Sequence, residues 1–158
     1  MTKLTELDAF DRRLLDLVRR DNQMPARALA ETVGLSESAV LRRLRRLRAE
    51  GVITADVSVV RPEALGLGLT MHVLVAMERE GSAVLDAFAR KIAGRPEVHQ
   101  AWYVTGESDF VLLVRVASME DYERFTRATL NDDPNVRSFR TIIAIREVVE
   151  ARTPSALA

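Results

Sequence analysis

Apolar residues recur along the chain with two periods, and the change from one to the other divides it in two. Up to about residue 53 the spacing is helical. Leu7, Phe10, Leu14, Leu17 and Val18 share one face of a helix over residues 7–20, with Asp8 and Asp11 near its positive N-terminal end. Pro25, suited to a first helical position, introduces a short second helix carrying Ala28, Leu29, Ala30 and Val33 that stops at Gly34. Leu35 can plug the gap before a third helix, which starts at Ser36 as N-cap and ends with Gly51 as the residue just past it. Val40, Leu44 and Leu47 form its apolar stripe, while Ser38, Arg42, Arg45, Arg46 and Ala49 project from the other side.

Beyond Gly51 the period shortens to two. The β-branched run over residues 52–60 reads as a strand, either a wing of the first unit or a tether to the next. Pro62, Gly66 and Gly68 break regular structure, so residues 61–68 are a linker. Leu69, Met71, Val73, Val75 and Met77 then alternate along a strand, residues 82–93 return to helical spacing, and strands follow over 98–105 and 110–116. Ser118 caps a further helix with Tyr122, Phe125 and Leu130 facing in, and a long last strand covers 136–149. The order βαββαβ is the ferredoxin-like plan, an antiparallel sheet with both helices on one face. Val111 and Leu113 are apolar as well as Phe110, Leu112 and Val114, so the bare sheet face should be covered by a second subunit. The expected class is α+β: residues 1–60 a helix-turn-helix, winged-helix-like domain with a linker strand, 69–150 a ferredoxin-like sensing and oligomerisation domain, 151–158 a tail.

Composition narrows the function without naming it. Of 158 residues 47% are apolar, as in a folded globular chain, and 23 basic residues balance 23 acidic ones, so net charge alone does not announce a nucleic-acid binder. The distribution is more telling. Through Val60 there are 11 basic and 9 acidic residues, and residues 34–51 carry five arginines against two glutamates. A rod apolar on one side, arginine-lined on the other and small and polar at its N-terminus suits a major groove. The short second helix, glycine turn and longer third helix before it are the parts of a helix-turn-helix. Taken alone, the third helix reads better as an amphipathic helix with solvated arginines; the preceding helix and turn reverse that in favour of DNA. Base contacts are expected from Ser38 and Arg42, with Ser36 and Glu37 beside them, and phosphate contacts from Arg45 and Arg46.

Zero cysteines exclude thiolate chemistry and Cys-ligated zinc. His72 and His99 are far apart in sequence and lack neighbouring carboxylates at metal-ligand spacing, so neither a metal nor another cofactor is expected. The N-terminus has no apolar signal core and no run is long enough to span a bilayer, so a cytoplasmic location is expected.

L-D-A-F-D-R-R-L-L at residues 7–15, A-L-A-E-T-V-G-L-S at 28–36, V-L-R-R-L-R-R-L ending in G-V-I at 51–53, and V-T-G-E-S-D-F at 104–110 resemble the Lrp/AsnC, or feast/famine, transcription regulators. The resemblance implies a helix-turn-helix that controls transcription, a βαββαβ domain sensing an amino acid, dimers through the sheets and often octamers. It implies an effector site at Tyr103, Thr105, Gly106 and Asp109, with Thr129 on a helix near the pocket. Gly106 lets the backbone approach a small ligand and Asp109 can accept an α-ammonium group; without a ligand, both simply make a tight hairpin. Ser108 stands where the family loop carries an aromatic, which leaves room for a larger effector side chain. Two other classes use the same plan: a sirohaem-decarboxylase-like enzyme subunit, and a nucleoid-associated protein that binds DNA without an effector.

Overall fold

The computed structural model describes residues 6–78 and 81–148 in two compact units, one reaching Ser58 and the other spanning Val59–Val148. The first unit is three helices: α1 (Ala9–Arg20), α2 (Ala26–Val33) and α3 (Glu37–Ala49). Their shared core is Leu14, Leu15, Leu29, Ala30, Val33, Val40, Leu44 and Leu47. Asp8 begins α1 with a reciprocal capping box: its carboxylate accepts from the Asp11 N–H while the Asp11 carboxylate accepts from the Asp8 N–H. Pro25 stands one place earlier than expected, as the N-cap of α2, where its extended backbone presents its carbonyl to the Leu29 N–H.

The expected strand over residues 52–60 does not form. Gly51, at φ 71°, lets the chain reverse, so the Val52 N–H reaches the Leu47 carbonyl at 2.9 Å and the Gly51 N–H reaches that of Arg48 at 3.1 Å. That pair of bonds is a Schellman closure, and Val52 and Ile53 fold back against the helical core. Val57, Val59 and Val60 stay exposed, with no strand alongside to supply a ladder. The unit therefore has no wing among its described residues.

In the second unit a 3₁₀ turn (Pro62–Leu65) precedes β1 (Leu69–Met77), α4 (Ser82–Ala93), β2 (Val98–Tyr103), β3 (Phe110–Val116), α5 (Met119–Thr126) and β4 (Val136–Ile143). The sheet runs β2-β3-β1-β4, antiparallel throughout. Alternate residues of β1 (Met71, Val73, Val75, Met77) and β3 (Phe110, Leu112, Val114, Val116) are buried under Phe88 and Ile92 of α4 and Tyr122 and Phe125 of α5. β4 ends six residues short of the expected Val149, which lies outside the described residues along with the 151–158 tail. Its last rung is the Ala144 N–H on the Thr70 carbonyl; β1 starts at Leu69, so nothing remains to pair with. β2 likewise stops at Tyr103, opposite Phe110, rather than at Thr105. α5 runs into a π turn (Arg127–Asn131) that buries Thr129 and Leu130.

The register also defines the face away from the helices. Trp102, Val111, Leu74 and Arg140 form one row across the four strands, and Gln100, Leu113, His72 and Ile142 form the next. Apolar area is concentrated there, with Trp102 46% and Ile142 50% exposed. No described helix is long and apolar enough to cross a membrane.

Candidate nucleic-acid interface and sensor loop

The turn between α2 and α3 is built by Gly34, whose φ of 78° favours a residue without a side chain. Its N–H and that of Leu35 both reach the Ala30 carbonyl, at 2.9 and 3.1 Å. Leu35 packs on the core, and the Ser36 hydroxyl accepts from the Ala39 N–H at 3.3 Å, which starts α3. Val40 and Leu47 are fully buried and Leu44 nearly so, which fixes the rotation of the helix. Glu37, Ser38, Leu41, Arg42, Arg45 and Arg46 consequently face solvent. Ser38, Leu41, Arg42 and Arg45 are spaced three and four residues apart and share one strip of the surface. Leu41, 40% exposed, has no place in the apolar stripe and was not singled out from the sequence.

The five arginines of α3 divide into two groups. Arg43 Nη1 donates to Asp8 Oδ2 at 2.7 Å and to Asp11 Oδ1 at 2.8 Å, with its guanidinium 5.5 Å from the centre of the Phe10 ring. Arg46 Nη2 donates to Asp11 Oδ2 at 2.5 Å, and its Nε lies 3.8 Å from Glu50. Arg48 meets Asp56 through two bonds of 2.8 and 3.1 Å, a fork that ties the exit segment to the end of α3. The Asp11 N–H and then Arg43 hold the Asp8 carboxyl below its ordinary range, and Arg48 does the same for Asp56; Arg43 and Arg48 are shifted up by the same bonds. Arg42 and Arg45 have no carboxylate partner among the described residues. Arg46, expected on phosphate, is thus engaged within its own unit. The pairings of Asp8 and Asp11 with Arg43 and Arg46 span more than thirty positions; in the sequence their trace is the repeated spacing of three.

The loop between β2 and β3 is closed by the Val104 N–H on the Asp109 carbonyl at 2.8 Å. The Asp109 N–H reaches the Val75 carbonyl at 2.8 Å, and its Oδ2 accepts from the Met77 N–H at 2.7 Å, where the β1–β4 register shifts. Asp109 therefore fastens the loop to the end of β1 rather than bonding its own hairpin alone. Gly106 has φ 129°, and no atom lies within 4 Å of where a Cβ would stand. Tyr103, 65% exposed, stacks its ring 5.4 Å from that of Phe110, and Thr105 is exposed beside it. Thr129 differs from these four. It is fully buried, its hydroxyl has no partner among the described residues, and its carbonyl accepts from Lys91 Nζ at 2.8 Å. No three His, Cys, Asp or Glu side chains among the described residues are grouped to hold a metal.

A helix-turn-helix presenting an arginine strip, coupled in one chain to a βαββαβ domain with an open loop, defines a ligand-responsive DNA-binding regulator. Residues 70–154 match the Lrp/AsnC ligand binding domain, and residues 7–54 match the winged helix-turn-helix DNA-binding family. The chain is 43% identical to a helix-turn-helix transcriptional regulator of Sinorhizobium fredii, over 90% of its own length and 85% of the relative's. It is 36% identical to the leucine-responsive regulatory protein of Rhizobium meliloti, covering 96% and 97%. Among solved structures, an L-Met complex of a transcriptional regulator from Neisseria meningitidis superposes with a TM-score of 0.85 at 27% identity, covering 95% and 96%. The chain belongs to the Lrp/AsnC family. It is a DNA-binding transcriptional regulator with a small-molecule sensing domain.

Proposed function

We propose that α3 enters the major groove of a specific operator and that an amino acid, bound at the loop over residues 103–109, modulates that binding. The observation that carries the DNA half is the strip of Ser38, Leu41, Arg42 and Arg45, exposed and free of carboxylate partners among the described residues. Ser38 and Arg42 lie in the first half of the helix, which meets base edges; Ser36 and Glu37 stand beside them, and Leu41 suits a thymine methyl group. Arg45, further along, takes phosphate. Arg46 keeps at most a secondary share of the backbone, because Asp11 already occupies its guanidinium.

The amino-acid half is supported by two relatives, one leucine-responsive by name and one solved with L-Met. Asp109 Oδ2 is taken by Met77, and its Oδ1 receives no protein donor among the described residues, which leaves that oxygen for an α-ammonium group. Gly106 brings backbone close, Tyr103 and Thr105 flank it, and the reduced bulk of Ser108 admits a larger side chain. Thr129, being buried, takes part only if the π turn opens. A second copy of the chain covers the Trp102, Val111, Leu74, Leu113 and Ile142 face and brings a second α3 to a pseudo-palindromic site, in the cytoplasm. The relatives are regulators by name, which favours this reading over a tetrapyrrole decarboxylase.

The test is in vitro selection of an operator followed by measurement with Arg42→Ala. The expected loss is about 1 to 3 kcal/mol on the operator, with relaxed preference at one base pair and little change on random DNA. An equal loss on both, or no preference of the wild type for any sequence, would favour a nucleoid-type protein instead. A thermal-shift screen with leucine, methionine and the other amino acids identifies the effector, since ligand at a hundred times its Kd stabilises by about 2.7 kcal/mol.

A further inference from the structure

We propose that Asp8 and Asp11 form a charge brake on DNA binding: by neutralising Arg43 and Arg46 they withhold two of the five recognition-helix arginines from the phosphate backbone, and so raise discrimination between operator and other DNA. The inference rests on the reading of α3 as the groove helix.

Sequence-blind affinity comes from the number of phosphates a protein neutralises, whereas base edges supply preference. Five free arginines on one short helix would favour any duplex. Asp11 is placed to prevent this. Its side chain is 1% exposed, its two oxygens hold one arginine each, and Asp8 adds a second carboxylate on Arg43. Two negative charges therefore stand against two positive ones. The arginines are 24% and 42% exposed, but pulling them toward phosphate would strip a buried carboxylate of its cations, which is strongly unfavourable. Arg43 is held further by the Phe10 ring beneath its guanidinium. The Arg48–Asp56 pair is different in kind. Both its partners are more than 40% exposed, so it can exchange for phosphate at little cost. What remains is Arg42 and Arg45, on the strip that also carries Ser38 and Leu41, with Arg48 exchangeable at the end of the helix. The brake thus subtracts charge without subtracting reading residues.

The experiment measures binding of the full chain to a random-sequence duplex and to the selected operator between about 50 and 200 mM salt. Asp8→Asn and Asp11→Asn each keep a side-chain oxygen for the capping box and remove one negative charge. Asp11→Asn should steepen the log K against log salt slope on random DNA by about 0.9, and Asp8→Asn by less because Asp11 still holds Arg43; both should lower the ratio of operator to random affinity. Arg45→Gln should flatten that slope by about 0.9, and Arg46→Gln should leave it nearly unchanged. Folded aspartate variants with the wild-type slope overturn the brake, as does an Arg46→Gln effect equal to that of Arg45→Gln. If Asp11→Asn does not fold, Asp8→Asn and Arg46→Gln decide the question, since both alter partly exposed side chains. If Arg42→Gln and Arg45→Gln both leave operator and random binding untouched, the groove reading itself has failed, which is a separate result from a brake that fails on a helix that does bind.

Discussion

Replacing Asp109 separates two roles that one carboxylate combines. Its Oδ2 accepts from the Met77 N–H at 2.7 Å, and Met77 is 3% exposed, so no solvent stands ready to replace the bond. Asp109→Ala leaves that N–H unpaired. A hydrogen bond to a charged acceptor contributes about 1.5 to 3 kcal/mol, and an unsatisfied buried donor costs a similar amount. In a unit of this size each kcal/mol moves the midpoint by roughly 4 to 8 °C, so the transition of the C-terminal unit should fall by roughly 6 to 24 °C. Asp109→Asn keeps an oxygen for Met77 and should lose about 1 kcal/mol or less. It removes the charge, however, and with it the partner of an α-ammonium group. Calorimetry with and without the effector found in the screen reads both effects. The expected pattern is a large fall without effector for Ala, a small one for Asn, and no effector-dependent rise for either. An Ala variant that melts like the wild type refutes the structural role, and an Asn variant with the full effector response refutes the ammonium contact.

Leu47 is fully buried between α3 and its neighbours, so Leu47→Ala should cost about 2 to 5 kcal/mol, read by urea unfolding of the helical signal; a change under half a kcal/mol would mean α3 is not packed as described. Acid should weaken both units. The Asp11 N–H and Arg43 lower Asp8, Arg48 lowers Asp56, and the Ser118 hydroxyl followed by Arg124 lowers Asp121, all from 3.8. A carboxylate lowered on folding stabilises fully above its unfolded value and loses that contribution as pH falls through the folded value. Melting midpoints should therefore be flat near pH 6 and decline below about pH 4, less steeply in Asp56→Asn; a midpoint that rises on acidification contradicts these pairings. On the open sheet face, Trp102→Lys should convert a dimer into a monomer by sedimentation, whereas a wild type that is monomeric at micromolar concentration removes the second copy from the proposal.

Most of the fold was legible because its elements announce themselves locally. Met71, Val73, Val75 and Met77 point one way because a strand has period two, and Val40, Leu44 and Leu47 point one way because a helix has period 3.6. Ser36, Gly34, Gly51 and Ser118 mark ends whose unpaired backbone groups they satisfy or whose reversal they permit. Residues 52–60 misled for a definite reason. β-Branched alternation says that a segment would suit a sheet, not that a partner strand is present, and among the described residues none is. β4 was overextended for the same reason: Ile145 and Val148 continue the composition of the strand after β1 has run out.

The proposed sites show in the sequence as a strip and a loop, whereas the charge pairings around them do not. Counting arginines along α3 gives five, and on a helical wheel three of them, Arg42, Arg45 and Arg46, face away from the apolar stripe. How many carry a carboxylate partner depends on Asp8 and Asp11, which lie more than thirty residues earlier, at the start of another helix. No local period encodes that distance. The packing of α1 on α3 does, because burying Leu14 against Val40, Leu44 and Leu47 brings the first turn of α1 beside Arg43 and Arg46. The same holds for Asp109, read first as a turn residue or a ligand contact. Its bond to Met77 exists only because β1 and β3 pair in the register that sets Val75 opposite Phe110. In both places a carboxylate that local sequence assigns to capping or turning is recruited by the tertiary fold to hold a distant group: Arg43 and Arg46 in one unit, the end of β1 beside the proposed effector loop in the other.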